Sequence, residues 1–156
     1  MKKDAFYSEL ESQVSSLIMG ETDIIANMAN ISALLFEMLP SVNWVGFYRK
    51  VDNELVLGPF QGKVACIRIP MGKGVCGTAL SEECTMRIEN VHEFDGHIAC
   101  DAASNAEIVI PVRCNNEVIA VLDIDSTEFN RFSEEDEVGL QKIVSLLEKQ
   151  LDSMGG

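Results

Sequence analysis

The sequence predicts an α+β fold: a central antiparallel sheet with the terminal helices packed on one face and a ligand-covering loop on the other. Three observations carry this. Apolar residues recur at helical spacing near both ends of the chain, and from residue 42 the period changes to two. Two pairs of strand-like runs are joined by the dipeptides Asp52-Asn53 and Asn115-Asn116, which are too short for a parallel crossover. The 156 residues are 47% hydrophobic and 24% charged, a globular balance that excludes a disordered chain. We expect one domain over residues 1–156.

Each element follows in order. Phe6, Leu10, Val14, Leu17 and Ile18 predict a helix over 4–19, with Gly20 as its stop. Thr22 is the expected cap of a second helix carrying Ile24, Ile25, Met28, Ile31, Leu34, Leu35 and Met38, and Pro40 ends it. Residues 42–51 and 54–60 read as a hairpin, and 64–70 as a third strand. A glycine loop over 71–77 leads to a short helix near 78–83 and a strand over 85–91. Residues 92–106 show no period and read as a long loop, and a structureless loop of that length is more often functional than idle. Residues 107–114 and 117–125 form a second hairpin. Ser133 with Asp136 three residues on reads like a capping box, before a helix bearing Val138, Leu140, Ile143, Val144, Leu147 and Leu151.

Charge narrows the partners. Twelve Lys and Arg against 25 Asp and Glu leave a net charge of −13, which repels nucleic acid and anionic lipid. No run approaches the roughly 18–20 apolar residues of a membrane span, and MKKDAFYSELE is too acidic for a signal core. The expected location is the cytoplasm. In that compartment Cys66, Cys76, Cys84, Cys100 and Cys114 are not expected to form permanent disulfides. No two cysteines are spaced C-x-x-C, and His92, His97 and Cys100 lack a fourth ligand, so no metal is expected.

Five groups of residues could carry chemistry. Gly72–Gly77 matches G-x-G-x-x-G but follows a hairpin, which argues against a dinucleotide site. Its glycines would let backbone N–H groups approach a ligand beside a helix N-terminus, where Cys76 would have a lowered pKa; a tight turn with a buried thiol is the alternative. Cys100 lies in the long loop, where a thiol is accessible, and His97 could support a thiolate. Cys66 falls within the strand that feeds the glycine loop, and by itself reads more as packing than as chemistry. Asp123 and Asp125 leave one face of a strand behind the apolar run Val118–Leu122, and Glu107 could join them. Carboxylates at a core strand's end are costly unless they bind an ammonium, a metal or N–H groups; a solvated strand end is the alternative. Trp44 and Tyr48 share a strand face, fit either for core packing or for a thioether or methyl group.

Longer segments go further. NWVGFY, LVLGPFQGK, ACIRIP, GKGVCGTA, VHEFDGHIACDAASNAEIVIP, VLDIDS and NRFSEEDEVGL resemble, in this order, the free methionine-(R)-sulfoxide reductases, which are single-domain GAF proteins. The resemblance covers most of the chain and is densest over 43–136. It implies that Cys100 is the nucleophile, Cys66 the principal resolving thiol and Cys76 an alternative resolving or pocket thiol. It places substrate carboxylates at Glu107, Asp123 and Asp125 and an aromatic pocket at Trp44 and Tyr48. It implies a sulfenic acid and an intramolecular disulfide, with thioredoxin as external reductant and no bound cofactor. Closure of loop 92–100 would exclude a peptide chain and select the free amino acid. Pairing of two copies through the helical face is a further expectation, since GAF domains often associate that way. GAF domains also serve as small-molecule sensors, so a stand-alone sensing module without catalysis is the alternative function.

Overall fold

The structure is a computed structural model describing residues 2–96 and 103–155. Its elements are α1 (Lys3–Ile18), α2 (Ile24–Met38), β1 (Trp44–Val51), β2 (Glu54–Gly62), β3 (Arg68–Pro70), α3 (Gly74–Glu82), β4 (Met86–Ile88), β5 (Ala106–Cys114), β6 (Glu117–Ser126) and α4 (Glu134–Gly155). The strands form one sheet in the order β3-β2-β1-β6-β5-β4, every neighbouring pair antiparallel.

Strand alternation divides the core in two. Val45, Phe47, Ile108, Ile110, Leu122 and Ile124 face α1, α2 and α4, and meet Leu10, Val14, Leu35, Leu140 and Ile143 there. Trp44, Tyr48, Val109 and Val121 point to the other face, under Val75, Ala79 and Leu80 of α3. Phe94 packs against this second core, and Gly74 N–H donates to the Gly96 carbonyl at 3.2 Å. Asn115 and Asn116 both take positive φ, 54° and 66°, as a two-residue hairpin turn requires. Pro111 is tolerated on an inner strand because β4 pairs only with Glu107–Val109 and leaves Pro111 beyond its ladder.

Several boundaries differ from those expected. Asp23, not Thr22, caps α2, accepting the Ala26 N–H at 3.1 Å. The third strand shrinks from 64–70 to Arg68–Pro70, and α3 starts inside the glycine motif at Gly74 rather than near 78. The fourth strand covers only Met86–Ile88 of the expected 85–91, and a 3-10 turn at Val91–Glu93 interrupts the region read as loop. Leu17, Ile25 and Val138 are exposed rather than in the core. Val138 lies two residues after buried Asp136, roughly 200° around α4 from the core-facing side.

The two end helices are fastened by one carboxylate. Asp136 is 1% exposed. It accepts from Lys3 Nζ at 2.6 Å, the Tyr7 hydroxyl at 2.7 Å, the Ser133 N–H at 2.8 Å and Arg131 Nη1 at 3.3 Å. The expected capping box is present in full, since Ser133 Oγ accepts the Asp136 N–H in return. One turn along, Gly139 lies under the Tyr7 ring, where an added Cβ would stand 2.2 Å from the nearest ring carbon. The ring cannot retreat while its hydroxyl is tied to Asp136. Gly139→Ala should therefore destabilise the fold by about 1–3 kcal/mol, the usual cost of overpacking. A thermal midpoint equal to that of the parent would show that α1 yields without loss.

Candidate active site

The carboxylates come together through strand register. Glu107 on β5 stands opposite Asp125 on β6, which stands opposite Trp44 on β1. One step along, Asp123 lies between Val109 and Gly46. All these positions share the α3 face. Gly46 is needed for space: a Cβ there would lie 2.3 Å from Phe60 Cβ and 2.7 Å from the Trp44 ring. Its absence lets Trp44 stack between Tyr48 and Phe60, with centroids 5.8 Å and 5.2 Å away.

Trp44, Tyr48, Cys76, Glu107, Asp123 and Asp125 line one cavity of about 50 Å³, with Lys73 among the residues around it. Glu107 and Asp123 are 7% and 5% exposed. The Cys76 thiol donates to Glu107 Oε2 at 3.7 Å. Among the described residues, Asp123 Oδ1 is buried without a hydrogen-bond partner. A buried carboxylate oxygen in that condition is costly and suits an incoming cation or N–H donor. Three carboxyl groups and one lysine thus line the same cavity.

Burial sets the protonation states. It pushes Asp123 up to about 8, with the Asp125 charge adding to the rise. It raises Glu107 well above the usual range, and the Asp123 charge adds to that. The Cys76 thiol is also raised, by burial and then by Asp123, Glu107 and Asp125. This overturns the expectation that a helix N-terminus lowers its pKa: α3 does begin two residues before Cys76, but desolvation and three carboxyl groups outweigh it. At neutral pH the pair Glu107–Asp123 therefore holds a proton that it can donate. The same shift makes stability depend on pH. In the unfolded chain Asp123 releases its proton near its ordinary value of 3.8, whereas the folded chain keeps it to about 8. Stability consequently falls as pH rises between the two. Asp123→Asn should flatten that fall and raise the thermal midpoint at pH 9 while impairing activity. A parent midpoint that does not fall between pH 5 and 9 would contradict the raised value.

Both pocket aromatics also hold the segment after β2. Trp44 Nε1 donates to the Lys63 carbonyl and the Tyr48 hydroxyl to the Cys66 carbonyl, each at 3.0 Å. Burial, then Asp123, raises the pKa of Tyr48, so its hydroxyl remains a neutral donor. Cys66 itself is disulfide-bonded, while Cys76, Cys84 and Cys114 are free.

Residues 16–151 match the GAF domain family. A protein of Escherichia coli called free methionine-R-sulfoxide reductase is 58% identical over 151 residues, which cover 97% of this chain and 92% of that one. The chain belongs to the GAF-domain free methionine-R-sulfoxide reductases. Solved structures of this reductase family superpose closely. The reduced form of the Staphylococcus aureus enzyme has a TM-score of 0.91 at 52% identity, covering 93% of this chain and 94% of that one. The Neisseria meningitidis free methionine-R-sulfoxide reductase, in complex with its substrate, has a TM-score of 0.95 at 41% identity, covering 99% and 93%.

Of the residues singled out in the sequence, Trp44, Tyr48, Cys76, Glu107, Asp123 and Asp125 meet in the cavity, and Cys66 stands on the segment that its aromatics hold. Cys100 and His97 lie outside the described residues. Cys84 is exposed and Cys114 half-buried, and neither lines the cavity. His92 Nε2 pairs with Asn105 Oδ1 at 2.8 Å, away from the cavity lining. Sequence reasoning missed Phe60, Lys73 and Ser104. Lys73 could have been found, because it sits within the glycine motif already singled out. Phe60 and Ser104 carry no local signal, since their places come from the bulged β1–β2 pairing and from the turn before β5. Among the described residues, no helix is long and apolar enough to cross a membrane.

Proposed function

We propose that this protein reduces free L-methionine-(R)-sulfoxide to L-methionine through a thiol-disulfide cycle. The substrate's ammonium group meets Glu107, Asp123 and Asp125, and its sulfoxide and methyl end lies against Trp44 and Tyr48. The Cys100 thiolate attacks the sulfoxide sulfur while the Glu107–Asp123 pair protonates the oxygen. The hydroxyl passes from the methionine sulfur to the Cys100 sulfur as the new S–S bond between them breaks, so methionine departs reduced and Cys100 becomes a sulfenic acid. Cys66 attacks that sulfur, the oxygen leaves as water, and a disulfide forms. Two thiols of thioredoxin return both cysteines to the reduced state. No bound cofactor enters the cycle. Cys76 acts as a pocket thiol that donates to Glu107.

The observation that carries this reading is the partnerless Asp123 oxygen in a cavity walled by carboxyl groups and stacked aromatics. The oxidised state of Cys66 beside a free Cys76 supports the division of labour between them. The test is NADPH oxidation coupled through thioredoxin reductase and thioredoxin. Free (R)-sulfoxide, free (S)-sulfoxide and a blocked, peptide-like sulfoxide are compared. Turnover is expected with the free (R)-epimer alone. Binding of that epimer without consumption of NADPH, by protein with reduced thiols, would move the reading to a sensor.

A further inference from the structure

The cavity holds a donor set that an ammonium group does not require. Cys76 Sγ and one carboxylate oxygen each from Glu107 and Asp123 all lie within 4.8 Å of one another, and all three residues are buried. Carboxylates alone suffice for an ammonium ion; a thiol adds nothing to its binding. The three side chains come from α3, β5 and β6 and are 31 and 16 residues apart along the chain, so no spacing in the sequence announces them.

The distances fit one class of ion. In a tetrahedral zinc site, sulfur at about 2.3 Å and oxygen at about 2.1 Å from the metal lie roughly 3.6 Å from each other. Cys76 Sγ and Glu107 Oε2 are 3.7 Å apart. Asp123 supplies the third donor with one of its carboxylate oxygens, and its Oδ1 is buried without a hydrogen-bond partner among the described residues. Mixed thiolate and carboxylate donors suit zinc better than magnesium or calcium, which prefer oxygen alone, or copper(I), which prefers sulfur. Three protein ligands leave a fourth position open, and Asp125 lines the same cavity.

We propose that the reduced protein binds one zinc ion on Cys76, Glu107 and Asp123, and that this ion inhibits it by occupying the place of the substrate's ammonium group. The proposal rests on the reductase reading above only for what is inhibited. On binding, the S–H bond of Cys76 breaks and its proton passes to solvent, together with any proton on the two carboxyl groups; no electron is transferred.

The experiment uses the full chain with Cys66, Cys84, Cys100 and Cys114 replaced by serine, leaving Cys76 as the only thiol. The protein is kept reduced by a phosphine. Cadmium ion is titrated first, and its thiolate charge-transfer absorption is read. Zinc ion then displaces it and is followed by calorimetry. One ion per chain with one thiolate signature is expected. Adding Cys76→Ser should remove the absorption and weaken zinc at least tenfold, and free methionine sulfoxide should weaken zinc on the four-serine chain. Zinc binding unchanged by Cys76→Ser, or indifferent to the sulfoxide, would overturn the proposal. If the four-serine chain does not fold, reduced parent and single Cys76→Ser proteins are compared. The variant should bind one ion fewer per chain, and equal counts overturn the proposal. Zinc bound here by a protein that turns over no sulfoxide would instead overturn the reductase reading alone.

Discussion

Cys100→Ser should release no methionine even with enzyme in excess over sulfoxide, a loss of roughly a thousandfold or more, because no other group supplies the attacking thiolate. Quantifying methionine after a single turnover tests this directly. Cys66→Ser behaves differently. It should release one equivalent of methionine and then stall with thioredoxin, since the sulfenic acid on Cys100 lacks its partner. Cys76→Ser should still close the disulfide, because Cys76 is buried on the sheet-facing side of α3 and donates to Glu107 instead. Normal recycling of Cys66→Ser would transfer the resolving role to another thiol. Methionine release by Cys100→Ser would remove Cys100 from the chemistry.

The second large effect concerns stability. Asp136→Ala should cost about 3–5 kcal/mol, as expected when one member of a buried ionic cluster is deleted. Arg131, whose side chain is 9% exposed, would lose its carboxylate, and the buried Tyr7 hydroxyl would lose its acceptor. That is a large share of a typical domain's stability. Burial alone would raise the pKa of Asp136, but Lys3, the Ser133 N–H, Tyr7 and Arg131 more than offset it and hold the carboxyl below its usual value. Its contribution is therefore complete above the unfolded value of 3.8 and is lost as pH falls through the lower folded value. Denaturant curves for parent and variant at pH 7 read the first effect, and their convergence in acid reads the second. A gap that persists unchanged at pH 2 would place the loss in packing.

The sequence made the strands legible wherever alternation was long. Val45 and Phe47 on one side and Trp44 and Tyr48 on the other follow from a period of two, and the register of the Asn115-Asn116 hairpin then places Glu107 opposite Asp125. The helix starts were less legible. Thr22 and Asp23 are both good caps, and which one is used depends on the entry of the chain from α1. The glycine motif hid the start of α3, because glycine lowers helix propensity and only packing against β5 and β6 compensates. Cys76 follows the alternative reading, a buried thiol, for a related reason: a helix terminus can be seen in sequence, but the desolvation supplied by distant strands cannot.

The sheet order has an evolutionary consequence. The charged and aromatic row lies on the three strands β1, β6 and β5, each flanked on both sides by another strand. The Cys66 segment follows β2, and the chain bearing Cys100 follows β4, the three-residue strand at the opposite edge. Insertions or substitutions in these two connections leave the pairing of the inner strands untouched. The carboxyl and aromatic row and the two thiol-bearing connections thus lie on separate parts of the chain.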